Sequence, residues 1–227
     1  MPTKRTYRDH GDACRAANAL DLVGDRWSLL VVRELILGPK RFADLQDDVR
    51  GITPAVLTDR LRSLQEAGIV EQVVLDDLAR TRAYVATEWG RGLETILQDL
   101  GRWYSAGPFA SAAPDGLGMT PDAMVMAMRT MAPPVPDGLP PISLRLYDGR
   151  RPDPPSRHYQ VAAARRRLVA ERGIPVDPVA TVTADATAWS GVLFGGLPLS
   201  EAERSGAVVV EGRRKPVKRL VALYARP

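Results

Sequence analysis

Few side chains in this sequence have the type and spacing that covalent chemistry needs. Cys14 is the single cysteine, so no disulfide can close within the chain, and a reducing, cytoplasmic setting is the expectation. The thiol stands beside Arg15, the kind of neighbour found next to reactive cysteines. The commoner fate of a free cysteine is a small buried hydrophobe. The two histidines, His10 and His158, lie in a tail and a proline-rich loop, without metal-ligand spacing to each other or to the thiol. No phosphate-binding glycine loop and no nucleophile elbow occurs. We therefore expect a non-enzyme that needs neither metal nor cofactor.

Recognition chemistry is better represented. The stretch Gly51 to Gly68 reads as one helix with both ends marked. Thr53 can cap free backbone N–H groups, Pro54 suits the first helical position, and Gly68 suits the left-handed residue that ends a helix. Leu57, Leu61 and Leu64 fall at i, i+4 and i+7 and form an apolar face. The opposite face carries Ala55, Thr58, Asp59, Arg62 and Glu66, which suits contact with water or with DNA.

Charge does not by itself choose between them. Residues 1–105 hold 15 Lys/Arg against 16 Asp/Glu, and residues 106–227 hold 16 against 11. Phosphate binding needs local positive charge, and the excess lies outside the half that holds this helix. The start, Met1 to Arg5, lacks the apolar segment of a signal peptide. No apolar run approaches the roughly 20 residues of a membrane helix, so no membrane partner is expected.

The elements that must position the helix follow from the surrounding pattern. A helix is expected over 13–23, ended by Gly24, and another over 26–37, capped by Asp25 and stopped by Gly38-Pro39. A short helix over 41–49 then turns into the 53–67 helix, a helix-turn-helix unit. Residues 69–75 and 83–87 are strand-like, with Asp76 to Arg82 as a hairpin tip, and together these elements make a winged helix. A single helix is expected from Thr87 to Tyr104, with Leu93, Ile96, Leu97, Leu100 and Trp103 on one face. That stripe suits packing within the chain or a subunit interface. The overall expectation is an α+β protein in three parts: 1–105 the winged helix-turn-helix domain, 106–118 a linker rich in Gly, Pro, Ala and Ser, and 119–227 a mixed α+β domain. In the last part, helices are expected at 121–131, 162–172, 184–193, 200–204 and 216–224, and strands at 142–147, 157–161, 179–183 and 207–211.

The first half resembles the HxlR-type winged-helix transcriptional regulators, a MarR-like group. The resemblance spans about residues 14–104 and is carried by Cys14, Leu22-Val23-Gly24-Asp25-Arg26-Trp27, Arg33 to Phe42, Gly51 to Leu61, and Tyr84 to Gly90. It implies a bacterial DNA-binding regulator that works as a homodimer on double-stranded DNA. The family often has a proline pair where Leu78-Ala79 stand, so the wing tip differs here. The resemblance makes residues 53–67 the helix for the major groove, with Thr53, Ala55, Thr58, Asp59 and Arg62 as candidates for contact. Arg62 can donate a bidentate pair to guanine, and Arg60 sits on the flank, where pairing with a carboxylate inside the domain is an equal alternative. Lys40 and Arg41 are candidates for backbone phosphate, and Arg80 and Arg82 for phosphate or minor-groove contact. Solvated surface is the alternative for the helix face and the wing. Cys14 becomes a redox-sensing candidate, because some family members use a cysteine at this position.

Residues 142–225 resemble the end of sterol-carrier-protein-like domains, through Val179 to Trp189, Gly195 to Ala202 and Val208 to Gly212. That implies a sheet covered by helices over an apolar cavity and a small apolar ligand. Methionines such as Met124 and Met128 are most often core, but methionine also lines adaptable pockets, and with Trp189, Leu193, Phe194 and Leu197 they are candidate lining. Arg165-Arg166-Arg167 and Arg213-Arg214-Lys215 with Lys218-Arg219 are basic clusters, either solvated surface or a contact for DNA or an acidic partner. Two function classes remain at this point. One is a homodimeric, sequence-specific transcriptional regulator controlled by an apolar ligand or by Cys14 oxidation. The other is a lipid-binding or carrier protein whose winged helix only dimerises.

Overall fold

The structure is a computed structural model, and it describes residues 6–108, 118–135 and 138–225. The chain divides into two compact units, Met1–Leu97 and Gln98–Pro227. The division falls inside a helix, upstream of the stretch 106–118 expected as linker, of which residues 109–117 lie outside the described residues. Lys4, Arg5 and Pro136 lie outside them too.

In the first unit, α1 (Arg15–Val23), α2 (Ser28–Ile36), α3 (Phe42–Asp48) and α4 (Pro54–Glu66) are followed by β1 (Val70–Val74) and β2 (Arg82–Ala86). The strands pair antiparallel, Val70 opposite Ala86 and Val74 opposite Arg82. This is a winged helix-turn-helix, with α3 and α4 as the two-helix unit and the hairpin as the wing. Leu57, Leu61 and Leu64 of α4, the face read in the sequence, are buried, and they pack into a core with Val31, Val32 and Leu35 of α2, Leu45 of α3, Ile69, Val70 and Ala83. The start of α2 is fixed by the Asp25 carboxylate, which accepts from the Trp27 and Ser28 amides at 2.8 and 3.1 Å.

The helix expected from Thr87 to Tyr104 is broken. It forms α5 (Glu88–Arg91) and α6 (Leu93–Ser105), separated at Gly92. Thr87 caps α5 by accepting from the Gly90 amide at 3.0 Å, and its hydroxyl also donates to Gly68 O at 2.8 Å. Gly90 lies so close to the start of β1 that a Cβ there would sit 2.0 Å from the Ile69 carbonyl oxygen. The short turn is therefore seated on the sheet before the chain can continue as α6. The α6 stripe is open, with Ile96 and Leu100 half exposed and Trp103 75% exposed.

The second unit opens its described core with α7 (Pro121–Met131), capped by Thr120. A five-stranded sheet follows in the order β5-β4-β3-β6-β7, from β3 (Ile142–Tyr147), β4 (Arg157–Ala164), β5 (Arg167–Arg172), β6 (Ala180–Asp185) and β7 (Val208–Gly212). β3 and β6 run parallel at the centre, and every other pairing is antiparallel. α8 (Ala186–Phe194), α9 (Leu199–Arg204) and α10 (Arg214–Ala222) complete the unit. α7 packs on β5, α8 and α10 on β6, and α9 on β7. Asp185 caps α8 through the Thr187 and Ala188 amides. Buried Asp122 holds α7 to the sheet, accepting from Tyr159 Oη at 2.7 Å and Arg172 Nε at 3.0 Å.

Residues 162–172, expected to be helical, form a hairpin instead. Ala162, Ala163 and Ala164 extend β4 and pair with Val169, Leu168 and Arg167. Alanine and arginine favour helix locally, but pairing along an open sheet edge overrides that preference. The turn is made by Arg165 and Arg166, both left-handed at φ 51° and 60°.

Candidate nucleic-acid interface

The polar face of α4 is held by its own ends and by its neighbours. Thr53 accepts from the Val56 amide at 3.4 Å, Pro54 occupies the first turn, and Gly68 takes φ 70° just past the helix. With the three leucines buried, Ala55, Thr58 and Arg62 are exposed. The Thr58 hydroxyl donates to Pro54 O at 2.9 Å, which leaves its oxygen lone pairs outward as acceptors.

Carboxylates organise the arginines of this face. Asp59 accepts from Arg62 Nη2 at 2.5 Å, one turn along the helix, and also pairs with Arg60. Arg60 reaches back to Asp25 at 3.2 Å, and Asp25 in turn accepts from the Ser28 hydroxyl. A continuous chain of charge thus runs from the N-terminus of α2 to the open face of α4. The hydrogen bond and charge of Arg60, with a smaller contribution from Arg62, hold the Asp59 carboxyl below its ordinary value. Burial pushes Asp25 up, but the Ser28 hydroxyl, the Trp27 and Ser28 amides and Arg60 outweigh it and bring the group below the usual range. Both carboxylates therefore stay charged at neutral pH. Their contribution to the paired arrangement is complete above the ordinary carboxylate range and is lost as pH falls through their depressed values.

Beside this face lies a shallow open depression lined by Asp25, Arg26, Trp27, Ala55, Val56, Asp59 and Arg60. Arg26 stacks over the Trp27 ring, 5.0 Å from its centroid. Arg26 and Arg50, the latter exposed in the turn leading into α4, were not among the residues picked from sequence. Their signal was only their position, Arg26 two residues before α2 and Arg50 four residues before α4.

The wing carries the other candidates. Arg80 is left-handed at the tip, φ 46°, and Arg82 opens β2. Both are exposed, and neither side chain has a hydrogen-bonding partner among the described residues. Arg41, at the N-cap of α3, instead pairs with Asp77 of the wing at 2.7 Å. Asp77 also accepts from the Thr81 amide at 2.9 Å, so it ties the tip to the start of α3.

Lys40 corrects the sequence expectation. It does not face a phosphate path. Only 2% of it is exposed, and its ammonium lies 2.5 Å from Glu34 Oε2 and 2.6 Å from Asp48 Oδ2, both buried. Glu34 takes a second cation, Arg33, at 2.8 Å. The Lys40 backbone pairs with Tyr84 of the wing in both directions, at 2.9 and 2.8 Å. One residue thus joins α2, α3 and the wing.

Cys14 is exposed at the N-cap of α1, so the buried-hydrophobe alternative does not hold. The six ligand candidates share one packed region of the second unit. Met124, Met128 and Trp189 are fully buried and Leu193 is nearly so. Phe194 meets Tyr224 edge to face, with ring centroids 5.3 Å apart. The Leu197 amide donates to Gly191 O at 3.0 Å. Trp189 Nε1 is buried with no hydrogen-bond partner among the described residues. Groups of three or more side chains able to hold a metal ion are absent among the described residues.

Comparison with known proteins places this arrangement. The sequence pattern of the HxlR-like helix-turn-helix family matches residues 22–108. The HTH-type transcriptional regulator YodB of Bacillus subtilis (strain 168) is 34% identical over 86 residues, which span 38% of this chain and 77% of YodB. The uncharacterised HTH-type transcriptional regulator Rv3095 of Mycobacterium tuberculosis is 36% identical over 98 residues, 43% of this chain and 60% of that protein. The solved reduced form of B. subtilis YodB aligns at 32% identity with a TM-score of 0.38, covering 41% of this chain and 93% of that one. The first unit is that of a winged-helix transcriptional regulator. The chain belongs to the HxlR-like helix-turn-helix family.

The Lys40 node gives a stability prediction. Lys40→Ala would leave two buried carboxylates without their shared cation and should lower unfolding free energy by about 3–5 kcal/mol. Urea denaturation checks it, and a loss under about 1 kcal/mol, as for an exposed pair, would contradict the buried arrangement.

Proposed function

We propose that the protein is a sequence-specific, double-stranded-DNA-binding transcriptional regulator that acts as a homodimer. The observation that carries this reading is the capped helix α4, whose open face presents Thr58, Asp59 and Arg62 with the guanidinium already oriented by a carboxylate. Arg62 would donate its two N–H groups to the O6 and N7 of a guanine. Asp59 would hold it there or accept from a cytosine amino group. Thr53, Ala55 and Thr58 would contact bases or nearby phosphates, and Arg60 would brace the helix through Asp25. Arg80 and Arg82 would meet the backbone or the minor groove from the wing. Arg41 would reach phosphate only by releasing Asp77.

Exposed apolar side chains support the dimer. Leu20 and Leu22 of α1, Trp89 of α5, and Ile96, Leu100 and Trp103 of α6 are open to solvent in one chain, more large apolar groups than a monomer usually leaves bare in its terminal helices. A two-fold dimer reads two half-sites about one helical turn apart. Acting on DNA with no helix long and apolar enough to cross a membrane among the described residues, the protein would work in the cytoplasm.

Two forms of control fit the site residues. Cys14 is accessible and is the single cysteine of the sequence, so oxidation would give an adduct or a link between two chains. A sterol-carrier-like second unit would take a small apolar ligand by parting Met124, Met128, Trp189, Leu193, Phe194 and Leu197. Trp189 Nε1 would then find the acceptor it lacks. A ligand would act only by favouring one dimer geometry over another.

Mobility shifts with genomic fragments test the central reading. Arg62→Ala should weaken binding to the preferred fragment by about 1–3 kcal/mol, roughly 5- to 150-fold, with folding intact. Absence of a preferred fragment at any salt would favour instead a lipid carrier whose winged helix only dimerises. For Cys14, diamide should change the affinity of the wild type and leave Cys14→Ser unaffected; equal responses would remove the thiol from the account. For the ligand, a fatty-acid probe should change Trp189 emission and shift DNA affinity together, and silence in both would remove ligand control.

A further inference from the structure

The basic excess of the sequence lies in the second half, and the sheet register gathers much of it at one end. β4 runs towards the start of β3, with Ile142 opposite Val161. The start of β3 lies beside the start of β6, and that lies beside the end of β7, with Ala180 opposite both Ile142 and Gly212. The β4–β5 turn, carrying Arg165, Arg166 and Arg167, therefore projects from the same sheet end at which β7 delivers Arg213, Arg214 and Lys215 into α10. β4 and β7 stand three strands apart, about 14 Å at the usual strand spacing, which is on the scale of a DNA groove.

A second set of contacts brings the two clusters together independently. The Val135 amide donates to Arg166 O at 2.9 Å, and Arg219 Nη1 of α10 donates to Gly138 O at 3.3 Å. Three residues of chain span at most about 10 Å. Arg165, Arg166, Arg167, Arg213, Lys215 and Lys218 are exposed, and their side chains have no hydrogen-bonding or ionic partner among the described residues. Arg214 is taken by Glu203. Exposed Asp177, Glu171 and Glu211, the last two in the row of Ser143 and Thr181, are the other described acids near this end, too few to neutralise it.

Both clusters oppose local preference. Arg165 and Arg166 adopt left-handed backbone that glycine and asparagine take far more readily. Arg213 to Lys215 stand at the N-terminal, positive end of α10, where the first turn holds no acid. Cations placed against local preference and left without partners fit an anion outside the chain.

We propose that this end of the second unit is a phosphate-backbone contact for duplex DNA, independent of base sequence. Arginine predominates in the patch, and its planar fork matches phosphate oxygens. Val217 and Leu220 of α10 are buried and Val221 is half-buried, so the helix has no broad free apolar face to lie in a bilayer. The choice of DNA as the polyanion rests on the regulator reading. In that arrangement the near-neutral first unit selects sequence, and the basic second unit supplies most of the general attraction.

The test uses the full chain, a random-sequence duplex and fluorescence anisotropy across a potassium chloride series. The variant combines Arg165→Asn and Arg166→Gly, which suit the left-handed turn, with Lys215→Gln and Lys218→Gln on exposed positions. Removing four phosphate contacts should flatten the slope of log affinity against log salt by roughly three to four, with an unchanged melting temperature or a higher one. A slope altered by less than one overturns the proposal. So does an unaltered slope accompanied by lost binding to phosphatidylserine vesicles, which would assign the patch to a membrane. Failure of base reading by α4 has its own signature, wild-type sequence preference in Arg62→Ala, and it leaves the slope comparison intact.

Discussion

The winged helix depends on one buried cation. Lys40 sits between Glu34 of α2 and Asp48 of α3, while its backbone is bonded to Tyr84 of the wing. Taking three charges out of water is costly, and a buried pair is often no more stable than apolar residues of the same volume. What the arrangement supplies is uniqueness of geometry. A leucine at this position could settle into the core in several ways, whereas an ammonium with two fixed carboxylates has one place to be. Arg33 on the far side of Glu34 lessens the residual negative charge. The angle between the two-helix unit and the wing, on which the proposed contact with a groove and its flanking backbone would depend, is thereby set.

Charge on the exposed face follows a related rule. Asp59 holds Arg60 and Arg62, and Asp77 holds Arg41. Pairing them costs attraction for phosphate but limits the rotamers open to Arg62, so less entropy is lost when it meets a base edge. This accounts for a near-neutral winged-helix domain that, in the proposed function, reads DNA. Among the described residues of this unit, Arg50 before α4 and Arg80 and Arg82 on the wing are exposed without an ion pair, as are Arg8, Arg15 of α1 and Arg91 of α5. At one end of the second unit's sheet the arrangement is the opposite, with Arg165, Arg166 and Arg167 at a strained turn and Arg213 before α10 left without a partner among the described residues.

Much of the first unit was legible in the sequence because its signals are local. The cap at Thr53, the proline after it, the leucines of α4, the strand pair and the glycine after α4 all act within a few residues of themselves. The reading failed where partners lie farther apart. Lys40 looked like a surface cation beside Arg41, since nothing in its immediate neighbourhood shows that Glu34 and Asp48 turn inward. Glu34 amid the apolar run of α2 was the available signal. The break at Gly92 depends on Gly90 meeting the Ile69 carbonyl, a contact made only once the wing has formed. Residues 162–172 have helical composition, and the vacant edge of β4 decides otherwise. The redox and apolar-ligand candidates rested on resemblance together with residue chemistry, Arg15 beside the thiol and methionine's adaptability. The structure places Cys14 at the surface and packs Met124, Met128 and Trp189 in the core of the second unit.

Arg62 either reads a base or merely adds charge. Selection of bound duplexes from a randomised pool, performed with the wild type and with Arg62→Lys, separates the two, because lysine keeps the charge and loses the planar fork. The account predicts a two-fold motif for the wild type, with half-sites about one helical turn apart, and for Arg62→Lys the same motif with relaxed preference at one base pair per half-site. The same fully specified motif for both proteins, or no motif for either, would contradict it.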